Sequence, residues 1–406
     1  MVIALGSCSY FRDTFSLHCR YVKRQPPLTE PTPGAMGLRA GIAIADASHP
    51  DSRLVMPPQR RATCAPVERP MRRPRPTDGS SASPNNNFNG VVAMNILGLD
   101  ALVFGVDDIQ ACAACLRDYG LDTVHLDADG GRFEALDGTA IVIRRGDDES
   151  LPPALGPTPS LRETIYGVAE PADLEAIADE LGRDREVRRD ASGALHTFDD
   201  LGFAIAFQVT CRRTFEAPAD LTNAPGSTPQ RPLNQLGITP DMPALPRTLS
   251  HVVYFVPDAA KGEAFYRDRL GFVTTDSFTG VGPFMRSAGM DDHHCLFMIQ
   301  TPPHMQGCEH FTFHMGSGTE VLLAGTRFQQ NGWTSFWGPG RHLLGSNWFW
   351  YFNSPLGCHI EYDADMDKHD DAWAARQAPM SADNSQLFLF TSREKWAPGG
   401  PPPKKA

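Results

Sequence analysis

The chain repeats its own pattern at an interval of roughly 150 residues, and a repeat of that period restricts the fold more tightly than composition does. Leu99-Asp100-Ala101-Leu102-Val103-Phe104-Gly105-Val106-Asp107-Asp108 reads as a strand ending in a helix N-cap, with a helix to about Tyr119 that stops at Gly120. Leu249-Ser250-His251-Val252-Val253-Tyr254-Phe255-Val256-Pro257-Asp258 has the same form. There Arg267-Asp268 answers Arg117-Asp118, and Leu270-Gly271-Phe272 answers Gly120-Leu121. Further on, Leu201-Gly202-Phe203-Ala204-Ile205-Ala206-Phe207 parallels Leu356-Gly357-Cys358-His359-Ile360-Glu361-Tyr362. Glu163-Thr164-Ile165-Tyr166-Gly167 matches Glu309-His310-Phe311-Thr312-Phe313 as the first strand of another unit. The expected body is α+β, with four strand-helix-strands modules, two per domain.

These modules fall in residues 94–214 and 247–370. The intervening 215–246 contains Pro218, Pro225, Pro229, Pro232, Pro240, Pro243 and Pro246, too many residues without an N–H donor for regular structure. It is expected to be a linker ordered against the body. Residues 1–93, rich in Pro and Arg, are expected to be disordered, and read either as a targeting or regulatory arm or as an extension upstream of a start at Met94. Residues 371–406 are expected to be a tail, disordered over its Pro- and Gly-rich end, 397–406.

Charge is divided unevenly. The first 93 residues hold twelve Lys and Arg against six Asp and Glu, leaving 25 of the chain's 37 basic residues against 42 of its 48 acidic ones in the remainder. The body therefore offers no basic face for nucleic acid. No apolar run reaches the ~18 residues of a membrane-spanning helix. Nine scattered cysteines, an odd number, read as reduced thiols of a cytoplasmic protein, and Cys112-Ala113-Ala114-Cys115, with no second pair, reads as helix packing.

The end of the second half carries the chemistry. Aromatic runs around Trp348-Phe349-Trp350-Tyr351-Phe352 and His359-Ile360-Glu361-Tyr362 flank a Ser354-Pro355-Leu356-Gly357 turn, which places Glu361 mid-strand in a hairpin. A carboxylate among apolar neighbours needs a partner, and a metal ion is the expected one. Across the repeat, His251 answers Ala101, His310 answers Thr164 and Glu361 answers Ala206. Any one of these alone reads as a satisfied core residue. Present together in one half and absent from the other, they make a two-His-one-carboxylate set, the arrangement associated with non-heme Fe(II) and O2.

With these motifs, the body from about Met94 to Asp367 resembles a two-domain type I extradiol catechol dioxygenase of the vicinal oxygen chelate superfamily. The resemblance implies four βαβββ modules paired into two open barrels, with metal in the C-terminal barrel only. It implies Fe(II), with Mn(II) as the alternative, held by His251, His310 and Glu361. Its acid-base histidine falls on His294, in His293-His294-Cys295-Leu296-Phe297, with His293 on the opposite strand face in a structural role. His342 would hydrogen-bond a substrate oxygen and Tyr351 would lie beside the oxygen site. The implied partners are a small aromatic diol and O2, in a homo-oligomer. Leu343-Leu344-Gly345-Ser346-Asn347 lacks the Asn-Asp that biphenyl-type members place after the histidine, which points to dioxygenases of substituted catechols. Trp333, Trp337, Trp348 and Trp350 suggest an aromatic-walled pocket. Two other readings remain: a metal-dependent isomerase or glyoxalase-like lyase of the same superfamily, and a metal-free binding protein for aromatic ligands.

Overall fold

The computed structural model describes residues 94–210 and 212–390. Residues 1–93 and 397–406, for which disorder is expected, lie outside the described residues. Four modules of identical element order follow one another. The first is β1 (Ile96–Val106), α1 (Ile109–Tyr119), β2 (Asp122–Leu126), β3 (Gly130–Glu134) and β4 (Ala140–Arg145). The second is β5 (Ser160–Val168), α2 (Pro171–Leu181), β6 (Arg188–Arg189), β7 (Leu195–Phe198) and β8 (Ala204–Val209). The third is β9 (Thr248–Val256), α3 (Ala259–Leu270), β10 (Val273–Thr279), β11 (Gly282–Arg286) and β12 (Leu296–Gln300). The fourth is β13 (Gly307–His314), α4 (Gly318–Gln330), β14 (Ser335–Arg341), β15 (Trp348–Asn353) and β16 (His359–Ala364).

Helix ends follow the sequence signals. Asp108 and Asp258 accept from the backbone N–H groups of Ala111 and Lys261 and so cap α1 and α3. Gly120 (φ 111°) and Gly271 (φ 71°) end those helices in the left-handed region that a Cβ disfavours. Within each half, the two modules join by antiparallel pairing of their first strands, β1 with β5 and β9 with β13. The sheet orders are β2-β3-β4-β1-β5-β8-β7-β6 and, for the core of the second sheet, β10-β11-β12-β9-β13-β16-β15-β14. The fold is thus α+β, with two mixed sheets built alike.

The second sheet continues past residue 370, which corrects the expectation of a simple tail. β17 (Arg376–Pro379) pairs parallel with β10 at one edge, and, after the short α5 (Ala382–Ser385), β18 (Phe388–Leu389) pairs with β14 at the other. Such short strands leave little periodic signal, and their partners lie far away in sequence. The proline-rich segment has no helix or strand among its described residues and is tied to the body. Thr319 Oγ1 donates to Asp220 Oδ2 at 2.9 Å, and Arg327 Nη2 donates to the Met242 carbonyl at 2.8 Å.

One hydrophobic core runs through both halves. Its bearing on the site is direct: Tyr119, at the end of α1, stacks on Tyr362 of β16 with ring centroids 4.1 Å apart and donates its hydroxyl to the carbonyl of Glu361. The first half therefore braces the strand that carries the candidate carboxylate.

Candidate metal centre

The register of the second sheet places the chemistry. His251 of β9 lies opposite Thr312 of β13, Thr312 opposite Glu361 of β16, and Glu361 opposite Tyr351 of β15. His310 is two residues from Thr312 on the same strand and so shares its face. The row in the first sheet is Ala101, Ile165, Ala206 and His196. That register sets Thr312 against Ile165 and therefore His310 against Glu163 rather than Thr164. Glu163 there accepts a hydrogen bond from His196 Nδ1 at 2.7 Å, with Asp190 3.2 Å from the other ring nitrogen.

Three donor atoms converge in the second sheet. His251 Nε2 and His310 Nε2 are 3.3 Å apart, and Glu361 Oε2 is 3.2 Å from the first and 3.4 Å from the second. All three residues are buried. Glu361 Oε1 is buried with no hydrogen-bond partner, a costly state for a carboxylate oxygen unless a cation completes it. Among the described residues this is the one group of such side chains arranged to hold an ion. The outer nitrogens are engaged: Ser250 Oγ lies 3.0 Å from His251 Nδ1, and Glu309 binds His310 Nδ1 while also meeting His359 Nδ1 at 2.8 Å. That pattern turns both Nε2 lone pairs inward, as metal-ligating histidines require. The donors therefore suit a divalent metal.

Charge follows the same design. Burial raises the Glu361 carboxyl, but attraction to the nearby rings of His251, His310 and His342 outweighs it and holds the group well below its ordinary range. Burial lowers His251. His310 is opposed by burial, yet Glu309 and Glu361 lift it to about 10, so a metal ion binding there displaces a proton.

His294 stands against this centre, its ring centroid 4.3 Å from that of His251. Burial, followed by repulsion from His251 and His293, depresses its basicity, so the ring is neutral. The His293-His294 pair does not open the strand, which starts at Leu296. Freed from strand alternation, His293 does not turn to an opposite face. Its Nδ1 lies 2.9 Å from His294 Nδ1, and its Nε2 meets Asp276 Oδ2 at 2.8 Å.

His342 and Tyr351 come together on the other side. His342 Nε2 is 3.2 Å from the Tyr351 hydroxyl and 3.7 Å from Glu361 Oε1, while its Nδ1 donates to the Ser385 carbonyl at 2.8 Å. Tyr351 stands edge-on to His310 with centroids 4.9 Å apart, and burial keeps it a phenol. Of the four tryptophans, Trp337 is beside the site, 5.1 Å from Tyr351. Trp333 instead stacks on Phe328, Trp350 packs over Gly325 of α4, and Trp348 meets Phe388. The apolar wall is a separate cluster of Val253, Phe278, Phe284, Phe297 and Leu344, with Phe284 5.0 Å from His294. Sequence reasoning missed this wall, and missed Glu309, Ser250 and Asp276. An acidic residue directly before a candidate ligand was the one available signal, at Glu309.

Residues 248–362 match the model of the Glyoxalase/Bleomycin resistance protein/Dioxygenase superfamily. The chain is 36% identical over 152 residues to metapyrocatechase 2 of Cupriavidus necator, an alignment covering 37% of this chain and 46% of that protein, so it spans about half of that relative's length. Two solved structures share the fold. A Mn(II)-bound glyoxalase from Novosphingobium aromaticivorans superposes with TM-score 0.58 at 20% identity, over 75% of this chain and 97% of that one. Homoprotocatechuate 2,3-dioxygenase from Arthrobacter globiformis gives 0.56 at 18%, over 73% and 88%.

Proposed function

Because residues 248–362 match the model of the Glyoxalase/Bleomycin resistance protein/Dioxygenase superfamily, we propose that this protein is an extradiol dioxygenase that opens a catecholic ring with O2. The observation that carries the reading is the convergence of His251, His310 and Glu361, with Glu361 Oε1 unpartnered, beside the neutral base His294. Fe(II) is the assigned ion, and Mn(II) suits the same donors. Held by these three residues, such an ion would supply a redox-capable centre for electron transfer from a catecholate to O2.

The chain's own residues do the remaining work. His294 accepts the proton of a substrate hydroxyl, a task for a neutral imidazole. On the far side His342 Nε2 can accept from a substrate hydroxyl, and the Tyr351 hydroxyl can donate to an oxygen atom that gains charge. Phe284, Phe297 and Leu344 flank the aromatic ring and exclude water. A small aromatic diol of the catechol type is the substrate class proposed.

A metal-dependent isomerase or lyase is the second reading, favoured by the fold shared with the Mn(II)-bound glyoxalase. Such enzymes take a fourth protein ligand, whereas the group found among the described residues has three members.

The test is oxygen uptake by the full chain, loaded anaerobically with Fe(II) and offered a panel of substituted catechols. One O2 per ring opened is expected, with a ~10²- to 10⁴-fold loss in His294→Ala at unchanged metal content. No uptake by metal-loaded protein, or full activity in His294→Ala, contradicts the proposal.

A further inference from the structure

The side chain of Asp276 is wholly buried on β10 and belongs to no part of the metal centre, yet it begins a chain of contacts that ends at His294. Its carboxylate accepts the Arg376 backbone N–H at 2.8 Å, Arg376 Nη2 at 2.6 Å and His293 Nε2 at 2.8 Å. His293 Nδ1 then lies 2.9 Å from His294 Nδ1. His293 is fixed in place: the Asp367 carbonyl accepts its N–H at 2.8 Å, and Thr275 Oγ1 donates to its carbonyl at 2.6 Å.

We infer that Asp276 sets the tautomer of His294 through His293, leaving His294 Nε2 without a proton as the accepting atom of the base. An ionised carboxylate can only accept, so His293 must donate from Nε2. Burial alone would raise the Asp276 carboxyl, but His293 and Arg376 hold it to about 2, which keeps it ionised under working conditions. A 2.9 Å contact between two ring nitrogens takes one donor and one acceptor, and His293, which already donates from Nε2 to Asp276, is the acceptor through Nδ1. Its lone pair there faces the proton on His294 Nδ1, and the remaining nitrogen of His294 is left bare. When Nε2 receives the substrate proton, the O–H bond breaks, an N–H bond forms, and Nδ1–H still points at His293. Asp276, His293 and Arg376 are positioning residues, and their role rests on the catalytic reading of His294 proposed above. The contact also gives the chain beyond residue 370 a part in the site, since Arg376 belongs to β17.

The test uses the full chain loaded with Zn(II), a diamagnetic ion that takes the same donor types. Long-range 1H–15N correlation of ring-labelled histidines reports the tautomer of each. The expected spectrum has His293 protonated at Nε2 and His294 at Nδ1; His294 protonated at Nε2 overturns the inference. In Asp276→Asn the amide can present N–H to His293 and permit the reversed arrangement. That variant is expected to populate His294 Nε2–H and to lose about 10²-fold in kcat of the Fe(II) form, with KM and Zn(II) affinity within about twofold. Unchanged tautomers and kcat overturn the inference. Because the spectrum is read without turnover, it decides the tautomers whether or not ring cleavage is observed, and the wild-type spectrum decides them even if the variant does not fold.

Discussion

Glu309 makes no contact with the centre of the site, yet it binds His310 Nδ1 and His359 Nδ1 together and so fixes which nitrogen of His310 faces inward. Burial opposes its charge, and the two histidines hold it to about 2. Glu309→Gln keeps the shape and removes the charge. Its metal affinity is expected to fall by about 10- to 100-fold, measured by competition with a chromophoric chelator. Asp276 makes a separate, pH-dependent contribution. Its folded pKa of about 2 lies below the ordinary carboxyl value, so its stabilisation is fully present above pH ~4 and is lost as pH falls through about 2. The size is on the order of 2 kcal/mol. Urea unfolding between pH 5 and 2.5 is therefore expected to bring wild type and Asp276→Asn closer together toward the acid end. A constant gap would contradict this assignment.

Among the elements, α4 and the hairpin β15–β16 form the support under the site. A Cβ at Gly325 would run into the Trp350 ring, so the helix lies on β15 at a distance only glycine allows. Gly325→Ala gains up to about 1 kcal/mol of helix propensity but overpacks a rigid indole. A net loss of roughly 1–3 kcal/mol is expected by chemical denaturation. The hairpin was legible because its strands are long and aromatic and its turn is marked by Pro355 and Gly357. The four modules were legible because their caps, Asp108 and Asp258 with Gly120 and Gly271, recur at one spacing. By contrast, β17 and β18 are four and two residues long, and His293-His294 sits in a loop where alternation says nothing about direction. The three donor residues could be named from the sequence because the first half supplies the same strands with different side chains. Asp276 and the Ser385 carbonyl could not, since each acts through a contact distant in sequence that no local pattern records, and Glu309 left only its place directly before His310 as a signal.

In the whole molecule, two similarly built halves have diverged in one row of side chains. Ala101, Ile165, Ala206 and His196 stand where His251, Thr312, Glu361 and Tyr351 stand in the second half. The first half retains a mechanical part, since Tyr119 grips β16 from behind at Glu361 and Tyr362. The second half gathers the three donors, the proposed base His294 and the pair His342–Tyr351 around one site. The central claim is that this site inserts dioxygen into a catecholic ring. The direct measurement is mass analysis of the first product formed by the Fe(II)-loaded chain from a substituted catechol under 18O2. Two labelled oxygen atoms in a ring-opened product are predicted; a rearranged product without label would contradict the account.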